Sequence, residues 1–389
     1  MNIGFDAKRA FHNQTGLGNY SRTLIEGLAQ YYPEHEYFLF NPKPSRSYPK
    51  ADYAHVHEVL PQGLLNRKLS SIWRSNWVKK DLQRLSIKLY HGLSHEIPVG
   101  IQNTEVRSIV TIHDLIFERY PEQFSKIDVQ VYRKKFRYAC THSDRIIAIS
   151  KQTKSDIVSL YGIAEEKIET CYQSCHPAFG KPISEDEQRL LRKKYDLPAK
   201  FFLYVGSIIE RKNLLNICKA VKALKEKVDI PLVVIGNGRE YKQIVQDYVK
   251  SNNLEDRVIF LSDREAVKRD PDFQRPEIFA AIYNMATTMI YPSYFEGFGI
   301  PVLEALWSRL PVITSNVSCL PETGGDAAYY VSPDSSDEIA TGMLRIHNDD
   351  TLRAEMKEKG LVQARNFTLE NCTNSVMEVY KKVVNGRTV

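Results

Sequence analysis

The chain has 389 residues, of which 43% are hydrophobic and 26% charged, and its formal net charge is +6. This length predicts two domains rather than one hydrophobic core, and the composition is that of a globular protein. The excess positive charge lies in residues 1–180, which hold 24 Lys and Arg against 18 Asp and Glu. So mild an excess excludes a dedicated nucleic-acid-binding protein and suits an acidic or membrane-borne partner.

The start of the chain and its cysteines indicate a cytoplasmic protein without a metal cofactor. The first predicted strand starts at Asn2 with no apolar segment before it, so we expect no signal peptide. The longest uncharged run, between Glu277 and Glu296, is broken by polar residues and predicts a helix and a buried strand, not a membrane span. The six cysteines lack the paired spacing of a zinc site, so we expect reduced thiols and no metal.

Short apolar runs that alternate with helical patterns predict β-strands. They fall in two series, residues 2–6, 37–41, 88–92, 108–113, 145–150 and 167–172, then 201–206, 231–236, 258–262, 288–291 and 311–315. This alternation predicts an α/β fold with two doubly wound, Rossmann-like parallel sheets. A break near residues 177–182 divides the chain into an N-terminal domain, 1–180, and a C-terminal domain, 181–368, followed by a last helix at about 369–389.

A loop with two glycines follows the first predicted strand. Gly16 and Gly18 precede a helix predicted over residues 20–30. Glycines at a helix start let a phosphate or a sugar reach backbone amides at the positive end of the helix, although many such loops are plain turns. We therefore treat Gly16 and Gly18 as candidate ligand-binding residues.

A histidine and an aspartate, His113 and Asp114, stand at the end of the strand predicted over 108–113. Ligands of a doubly wound sheet bind beyond the carboxyl ends of its strands, where this pair would lie. His113 could donate a hydrogen bond to a sugar hydroxyl, with Asp114 orienting the ring or meeting a second substrate. On the residues alone, a structural histidine capped by its neighbour explains the pair equally well.

The second series of strands opens with a basic loop. Gly206 and Ser207 end the first strand of the series, and Arg211 and Lys212 stand where the next helix begins. A helix start repels cations, so two cations there indicate a bound anion such as a diphosphate more than a plain surface pair. Their charge would also stabilise the negative charge that builds on a departing phosphate.

Two further strand ends carry small residues. Gly236 ends the strand 231–236, and Ser262 ends the strand 258–262. Their place at the carboxyl edge of the predicted sheet makes both candidates for contact with the same ligand. The charged segment 264–276 that follows receives no predicted function.

The most specific pattern is the stretch Tyr291–Leu306, which carries Glu296 and Glu304 eight positions apart. It predicts a strand, a tight loop with Gly297 and Gly299, and a helix. Such a loop offers free amides and a positive helix end to a diphosphate, and each carboxylate can accept hydrogen bonds from hydroxyls on either side of it. This arrangement fits a sugar nucleotide, with the sugar at one glutamate and the ribose at the other.

This stretch resembles the signature of the retaining GT-B glycosyltransferases of the family 4 type, the glycosyl transferases group 1, and the resemblance extends over nearly the whole chain. It implies two Rossmann-like domains facing across a cleft, with the last helix crossing back onto the N-terminal domain. It implies that Glu296 and His113 contact the donor sugar and that Glu304 takes the ribose hydroxyls. Arg211 and Lys212 would hold the diphosphate. The other donor-binding residues that it implies are small or loop residues, namely Gly16, Gly18, Gly206, Ser207, Gly236, Ser262, Gly297, Phe298, Gly299 and Ile300.

Within this family the chain is most similar to mannosyltransferases. Segments 111–121 and 206–213 are similar to those of enzymes that use GDP-mannose. The resemblance implies transfer of mannose to a glycan or lipid-linked acceptor in bacterial surface polysaccharide assembly, with no metal required. A donor from the UDP series, carrying glucose, galactose or N-acetylglucosamine, remains an alternative.

A basic segment in the N-terminal half allows two interpretations. Residues 66–88 carry seven cations and one acid, with Leu69, Trp73 and Trp77 at four-residue steps. This pattern predicts either a helix lying on an anionic membrane or a core-facing helix with a solvated basic side. One of its cations, Arg74, is also a candidate acceptor-binding residue.

Three other classes of protein share part of this pattern. A sugar-nucleotide epimerase has the same architecture but needs no acceptor. A dehydrogenase requires Gly-x-Gly-x-x-Gly after the first strand, and in the run that begins at Gly16 the third glycine is replaced by Ser21. A non-catalytic subunit of a glycan-assembly complex would function without Glu296 and Lys212.

Overall fold

The computed structural model describes residues 1–13, 15–45 and 53–386, which form two compact units. The first unit comprises Met1–Ser174 and Phe367–Val389, and the second comprises Cys175–Asn366. Each unit holds a parallel β-sheet with helices, so the predicted α/β fold with two Rossmann-like sheets is confirmed.

The sheet of the first unit has the strand order β3-β2-β1-β4-β5-β6-β7. The strands are β1 (Asn2–Asp6), β2 (Glu36–Phe40), β3 (Val56–Val59), β4 (Leu89–Gly92), β5 (Arg107–Ile112), β6 (Arg145–Ala148) and β7 (Ile168–Thr170). Ile3 of β1 lies opposite Tyr37 of β2 and Leu89 of β4, so β1 sits where the strand order reverses. This reversal is the place where sheets of this kind bind ligands.

The helices of the first unit connect these strands. They are α1 (Lys8–His12), α2 (Gly16–Tyr31), α3 (Leu64–Lys68), α4 (Ser70–Ile72), α5 (Val78–Arg84), α6 (Ile116–Arg119), α7 (Lys126–His142) and α8 (Lys151–Tyr161). A π-helical turn, Trp73–Trp77, joins α4 to α5. The last helix of the chain, which follows the second unit in sequence and is numbered α18 (Leu369–Asn385), also belongs here. Residues 387–389 of the predicted last helix lie outside the described part of the chain.

The sheet of the second unit has the order β10-β9-β8-β11-β12-β13, so that β8 and β11 meet where the order reverses. Its strands are β8 (Phe202–Val205), β9 (Leu232–Ile235), β10 (Val258–Phe260), β11 (Thr288–Tyr291), β12 (Val312–Ser315) and β13 (Tyr329–Val331). Its helices are α9 (Glu185–Tyr195), α10 (Leu214–Ala223), α11 (Glu240–Ser251), α12 (Glu265–Lys268), α13 (Pro276–Met285), α14 (Ile300–Trp307), α15 (Leu320–Gly324), α16 (Ser336–Asn348) and α17 (Asp350–Ala364).

The four central strands of the second sheet are buried along their whole length. Every residue of β8, β9, β11 and β12 is buried. Continuous apolar strands of this kind form when helices cover both faces of a parallel sheet, which is why the sequence shows apolar runs instead of alternation. The polar residues that follow such strands are held at the sheet edge by a rigid core.

Two strands that the sequence analysis did not predict lie at sheet edges. Strand β3 pairs with β2 alone, and β13 pairs with β12 alone. Strand β3 is Val-His-Glu-Val and β13 is Tyr-Tyr-Val, so neither has the continuous apolar run that marks a central strand. An edge strand has one neighbour and solvent on its free side, and its sequence signal is correspondingly weak.

Candidate active site

Two cations lie in the loop that follows β8. The chain makes a 3-10 turn, Glu210–Lys212, before α10 begins. Asn213 then adopts a left-handed conformation, and its side-chain amide donates to the carbonyls of Pro292, at 3.0 Å, and Pro333, at 2.6 Å. These bonds hold the loop against the segment after β11, which places Arg211 within the turn beside that segment.

The segment after β11 is fixed by hydrogen bonds at Glu296. The Glu296 amide donates to Ser318 Oγ at 3.1 Å, and Ser318 Oγ donates to the Glu296 carbonyl at 2.8 Å. The carbonyl of Phe298, a buried residue, accepts a hydrogen bond from the Thr323 hydroxyl. The hydrogen bonds to Ser318 and Thr323 restrain the backbone between β11 and α14, so the Cα of Glu296 is held in a fixed position.

Gly299 immediately precedes helix α14. Its φ is +94°, and a Cβ at this position would lie 2.8 Å from Leu320 Cδ2. Both the conformation and the space therefore require glycine. Ile300 is the first residue of the helix and is partly exposed, as is Gly297. The predicted strand, glycine loop and helix occur as expected around Glu296.

The two cations converge on one oxygen of Glu296. Arg211 Nη1 lies 3.1 Å and Lys212 Nζ 3.3 Å from Glu296 Oε1, and the Tyr291 hydroxyl donates to the same atom at 3.0 Å. Burial alone would raise the pKa of Glu296, but Lys212 and Arg211 outweigh it and lower the pKa to about 2. The group is thus a permanent carboxylate held by two positive charges.

Lys212 is itself poorly solvated. Burial lowers its pKa, while the charge of Glu296 opposes that shift. Its ammonium group also lies 4.9 Å from the centre of the Tyr291 ring, within cation–π range. Two cations that share a single carboxylate oxygen leave an excess of positive charge at this edge of the sheet, which favours an anionic ligand.

Glu304 lies on α14 and differs from Glu296. The Tyr283 hydroxyl donates to Glu304 Oε2 at 2.9 Å. Burial of the carboxyl group raises the pKa of Glu304 to about 7, against smaller lowering effects of the Tyr283 hydrogen bond and the Lys212 charge. The two glutamates of one signature therefore have pKa values on opposite sides of the usual range.

Glycines bring the ends of β8 and β9 together. A Cβ on Gly236 would lie 1.8 Å from the carbonyl oxygen of Gly206, so the two backbones are in direct contact. The Gly236 amide donates to Ser262 Oγ at 3.0 Å, which adds the end of β10 to the same group. Ser207, next to Gly206, is exposed. The structure thus joins four of the predicted donor-binding residues along one sheet edge.

In the first unit, His113 follows β5 and is buried as a neutral ring. Its Nε2 lies 2.9 Å from the carbonyl of Leu93, which can only accept, so Nε2 carries the proton. Burial lowers the pKa of His113 to about 4, a shift that the Leu93 bond opposes and Arg9 reinforces. The remaining nitrogen, Nδ1, is an acceptor. Because Nε2 already donates to Leu93, the ring in this tautomer offers an acceptor, not a donor, to any further partner.

Asp114 has a structural contact of its own. Its Oδ1 accepts a hydrogen bond from the Ile116 amide at 3.1 Å, at the start of α6. This is an Asx-type turn, in which the side chain accepts from the backbone amide two residues further on. The ring of His113 is oriented by Leu93.

The glycines near the N-terminus lie inside a helix, not before one. Helix α2 starts at Gly16, four residues earlier than predicted, and the short helix α1 separates it from β1. A Cβ on Gly18 would lie 1.9 Å from the Asn13 carbonyl oxygen, whereas Gly16 is open to solvent. The predicted loop was wrong because close backbone packing, not loop conformation, requires glycine at position 18.

Arg74 lies in the π-helical turn and is neutralised within the first unit. Its Nη2 lies 2.8 Å from Asp6 Oδ2 and 3.1 Å from Glu96 Oε2, and its Nε donates to both oxygens of Asp6. Although burial opposes its charge, Asp6 and Glu96 raise the pKa of Arg74. Its cation therefore already has two carboxylate partners at the carboxyl end of β1.

The basic segment 66–88 has a buried tryptophan and exposed apolar side chains. Trp73 is fully buried and donates to Asp81 Oδ2 at 2.8 Å, as in a core-facing helix. Leu69 is 39% exposed whereas Trp73 is buried, so the residues of the predicted apolar stripe are not all buried on one helix face. Three further large apolar side chains of the same segment or just before it are exposed, Leu64, Leu65 and Ile72.

Within the described ranges, the cysteines form no disulfide bond. All six cysteines are free and buried. In that part of the chain, no group of three or more His, Cys, Asp or Glu side chains is placed to hold a metal ion. Nor does any of its helices combine the length and the hydropathy needed to cross a membrane.

Three site residues were not found from the sequence. Asn213 ties the two loops together, and the hydroxyls of Tyr283 and Tyr291 reach the two glutamates. One signal was present for the tyrosines: they are eight positions apart, the same spacing as Glu296 and Glu304. Alone, that spacing does not show which hydroxyl reaches which carboxylate.

The two-sheet fold, with a basic and carboxylate-lined edge on the second sheet, is that of a GT-B glycosyltransferase. Solved structures of similar fold include sucrose-phosphate synthase from Thermosynechococcus elongatus, with a TM-score of 0.77, 20% identity and full coverage of both chains. Another is Anabaena HepE in complex with UDP-glucose, with a TM-score of 0.73, 15% identity and coverage of 98% of this chain and 100% of that one.

Sequence relatives agree with the fold. Family models described as Glycosyltransferase Family 4 and Glycosyl transferases group 1 match residues 15–176 and 187–362. The O-antigen chain mannosyltransferase B of Escherichia coli is 28% identical over 397 residues, which cover 98% of this chain and 100% of that protein. The O-antigen chain mannosyltransferase RfbU of Salmonella typhimurium is 29% identical over 64% of this chain and 61% of its own. The chain belongs to the family 4 type of GT-B glycosyltransferases and is an enzyme similar to mannosyltransferases.

Proposed function

We propose that this enzyme transfers mannose from GDP-mannose to a glycan or lipid-linked glycan acceptor, with retention of the anomeric configuration, in bacterial surface polysaccharide assembly. The observation that carries the proposal is the pair Arg211 and Lys212, which share one oxygen of Glu296 at the reversal point of the second sheet. The choice of mannose rests on the similarity, over nearly the full length of both chains, to a protein named as an O-antigen mannosyltransferase.

The donor would bind along the edge formed by the ends of β8, β9, β10 and β11. Arg211 and Lys212 would hold the diphosphate, and the glycine loop with the start of α14 would offer it backbone amides. Glu296 would accept a hydrogen bond from a hydroxyl of the sugar. Glu304, on the helix, would accept from the ribose hydroxyls. Gly236 and Ser262 lie next to Gly206 and would contact the nucleotide.

The transfer step needs stabilisation of the leaving group more than it needs a protein base. The bond between C1 of the sugar and the diphosphate oxygen breaks, and its electron pair leaves with the phosphate. The acceptor oxygen bonds to C1 on the same face, and its proton passes to the departing phosphate oxygen. The products are the glycoside and a nucleoside diphosphate. The two cations stabilise the added negative charge as it forms, and no metal is required in this scheme.

Product analysis tests this proposal. The purified protein is incubated with GDP-mannose and a mannose-terminated alkyl glycoside, in the presence of EDTA, and the products are examined by mass spectrometry and NMR. We expect GDP together with an acceptor one hexose heavier, linked in the α configuration of the donor. Conversion of the donor without acceptor into another nucleotide sugar would identify an epimerase instead.

Two variants separate catalysis from a structural role. Glu296→Ala and Lys212→Ala are each expected to abolish transfer. If either kept full function, the protein would act as a non-catalytic subunit. Transfer from UDP-glucose, UDP-galactose or UDP-N-acetylglucosamine in place of GDP-mannose would keep the glycosyltransferase and overturn the proposed donor.

We further propose that the first unit contacts an anionic bilayer on its cytoplasmic face. The contact surface is the apolar patch of Leu64, Leu65, Leu69 and Ile72, which are 79%, 63%, 39% and 44% exposed. Arg67 and Lys68, both exposed, lie within the same segment and would meet acidic headgroups. Exposed leucines beside cations are typical of helices that lie in the membrane interface, where a lipid-linked acceptor would be.

Co-sedimentation with vesicles tests the membrane contact. The protein is expected to sediment with phosphatidylglycerol-containing vesicles and not with pure phosphatidylcholine vesicles, and the double variant Leu64→Glu, Leu65→Glu should remain in the supernatant. Leu190→Glu is a matched control, because Leu190 lies in the second unit and is 67% exposed. Equal sedimentation of all three proteins would contradict the proposal.

A further inference from the structure

The second unit pairs each glutamate of the signature with a buried tyrosine. Tyr283 and Tyr291 are eight positions apart, as are Glu296 and Glu304. Tyr291 ends strand β11 and contacts the first glutamate, whereas Tyr283 lies on α13 and contacts the second. Neither ring is exposed. Phenylalanine would fill the same buried space as each tyrosine, so packing alone does not account for the two hydroxyls.

The hydroxyl of Tyr291 connects the positive and negative groups of the site. The Lys212 ammonium group can only donate hydrogen bonds, and it donates one to the Tyr291 oxygen. The Tyr291 hydroxyl donates in turn to Glu296 Oε1 at 3.0 Å. Arg211 reaches the same carboxylate oxygen. One hydroxyl therefore fixes the ammonium group and the carboxylate relative to each other.

The hydroxyl of Tyr283 serves the other glutamate. It donates to Glu304 Oε2 at 2.9 Å, and the ring packs edge-on against Phe179 with centroids 5.2 Å apart. Tyr283 comes from α13 and Glu304 from α14, so the hydrogen bond joins two helices that flank the site. The packed ring gives the donor atom a fixed position.

Both hydroxyls keep their protons. Burial raises the pKa of Tyr283 and of Tyr291 well above the ordinary value, and the neighbouring glutamates raise it further. A phenol that does not ionise remains a hydrogen-bond donor at every working pH. Each tyrosine can therefore hold one carboxylate oxygen, while the carboxylate keeps further acceptor sites for a ligand hydroxyl.

We propose that Tyr291 and Tyr283 are positioning residues of the donor site, which fix Glu296 with Lys212 for the sugar and leaving group and fix Glu304 for the ribose. This proposal deepens the proposed function and rests on it. Because Tyr291 acts on the groups that meet the reacting bond, its hydroxyl should matter mainly for kcat. Because Tyr283 acts on a glutamate remote from that bond, its hydroxyl should matter mainly for donor binding.

Kinetics of Tyr291→Phe and Tyr283→Phe test this division, with GDP-mannose as the probe. Phenylalanine keeps each buried ring and removes only the hydroxyl. For Tyr291→Phe we expect kcat to fall about tenfold or more with little change in donor KM, as for loss of one hydrogen bond to a charged group. For Tyr283→Phe we expect donor KM to rise by about tenfold with little change in kcat.

Tyr195 provides a matched control in the same unit. It is fully buried at the end of α9, and its hydroxyl donates to a carboxylate, that of Asp270, away from β8 and β11. Tyr195→Phe should therefore lose the same kind of hydrogen bond and leave kcat and KM unchanged. If Tyr291→Phe and Tyr283→Phe matched Tyr195→Phe in both constants, the hydroxyls would be structural only and the proposal would be overturned.

A titration without any ligand tests the Tyr283 part separately. The groups that face the Glu304 carboxyl are the Tyr283 hydroxyl from α13 and the Lys212 ammonium from the loop after β8. Both lower the pKa of Glu304, so loss of the hydroxyl should raise it. The Glu304 carboxyl is followed by NMR with ¹³C-labelled glutamate, and Glu304→Gln assigns its signal. This carboxyl should titrate at higher pH in Tyr283→Phe than in the wild-type protein, and at the wild-type pH in Tyr195→Phe.

The two experiments fail in different ways. If the wild-type protein neither bound nor turned over GDP-mannose, the proposed donor would be wrong, while the carboxyl titration would still test the position of Tyr283. If turnover were normal and the titration of Glu304 were the same in Tyr283→Phe, the hydroxyl would not act on the carboxylate and the positioning role would be overturned.

Discussion

The two sheets of this protein share their central strand order but differ in the charge at their carboxyl ends. In the second unit Arg211 and Lys212 share a single carboxylate, Glu296. In the first unit one cation, Arg74, meets two carboxylates, Asp6 and Glu96. The same scaffold therefore offers an excess of positive charge at one edge and a neutralised cation at the other.

This difference suits two kinds of ligand. An edge with unbalanced cations attracts a diphosphate and stabilises it as a leaving group. An edge with a neutral histidine, His113, and a compensated arginine suits the uncharged hydroxyls of a sugar. Charge balance at the strand ends, more than topology, distinguishes the two edges.

The largest expected effect is loss of a cation from the second unit. Lys212→Met keeps most of the side-chain stem and removes the charge, so we expect kcat to fall by about a hundredfold to a thousandfold, as for loss of one group that stabilises developing negative charge. Release of the nucleoside diphosphate with acceptor present measures it. Lys219→Met, on the exposed face of α10, is the control and should keep full activity. Full activity of Lys212→Met would show that the excess positive charge of the second unit is not needed for transfer.

Loss of the cation from the first unit should act on stability instead. Arg74→Met leaves Asp6, which is 2% exposed, without its main partner, and we expect the free energy of unfolding of this unit to fall by about 3 kcal/mol. Urea denaturation followed by circular dichroism measures the change. Arg189→Met removes an exposed pair with Asp186 and should change little. Stability unchanged by Arg74→Met would show that the network contributes nothing to folding.

Donor binding should depend on pH through the second unit. Burial raises the pKa of Glu304 to about 7. The ionised form accepts ribose hydroxyls, so as pH falls below 7 protonation should raise the donor Kd by about tenfold per pH unit. Donor binding measured between pH 5.5 and 8.5 would test this, with Glu304→Gln expected to bind weakly at every pH. A flat profile for the wild-type protein would contradict a role for Glu304 in binding.

The histidine of the first unit should show the smallest effect. The pKa of His113 is lowered to about 4, chiefly by burial, so its ring stays neutral throughout that pH range and adds no slope. His113→Phe removes the acceptor at Nδ1 and is expected to lower kcat/KM by about tenfold. His57→Phe, at a histidine whose side chain is 41% exposed, is the control. Equal kcat/KM values for the two variants would assign His113 a structural role only.

Sequence patterns predicted the central strands and the residues at their ends because both follow from local rules. Buried runs mark central strands, and ligands of such sheets lie at the carboxyl ends. The edge strands β3 and β13 lack that run and were missed. Gly18 was assigned to a loop because glycine marks both turns and close packing, and only the contact with the Asn13 carbonyl separates the two.

The chemistry of the site depended on contacts between distant residues. Glu296 and Glu304 are the same residue type in one motif, yet their pKa values lie near 2 and 7 because one meets two cations and the other is mainly desolvated. The motif likewise does not identify the tyrosine partners. Tyr291 is its first residue, but the pattern does not show that its hydroxyl reaches Glu296, and Tyr283 lies 21 positions before Glu304. Burial and partner identity are properties of the folded chain.

Calorimetric titration tests the central claim, that the charge excess at the β8–β11 edge binds a nucleotide sugar. Wild-type protein and Lys212→Met are titrated in EDTA with GDP, UDP, GDP-mannose and UDP-glucose. The account predicts that GDP-mannose binds the wild-type protein more tightly than GDP or either uridine ligand, and that Lys212→Met weakens this binding. Absence of binding by every nucleotide, or equal binding by Lys212→Met, would contradict it.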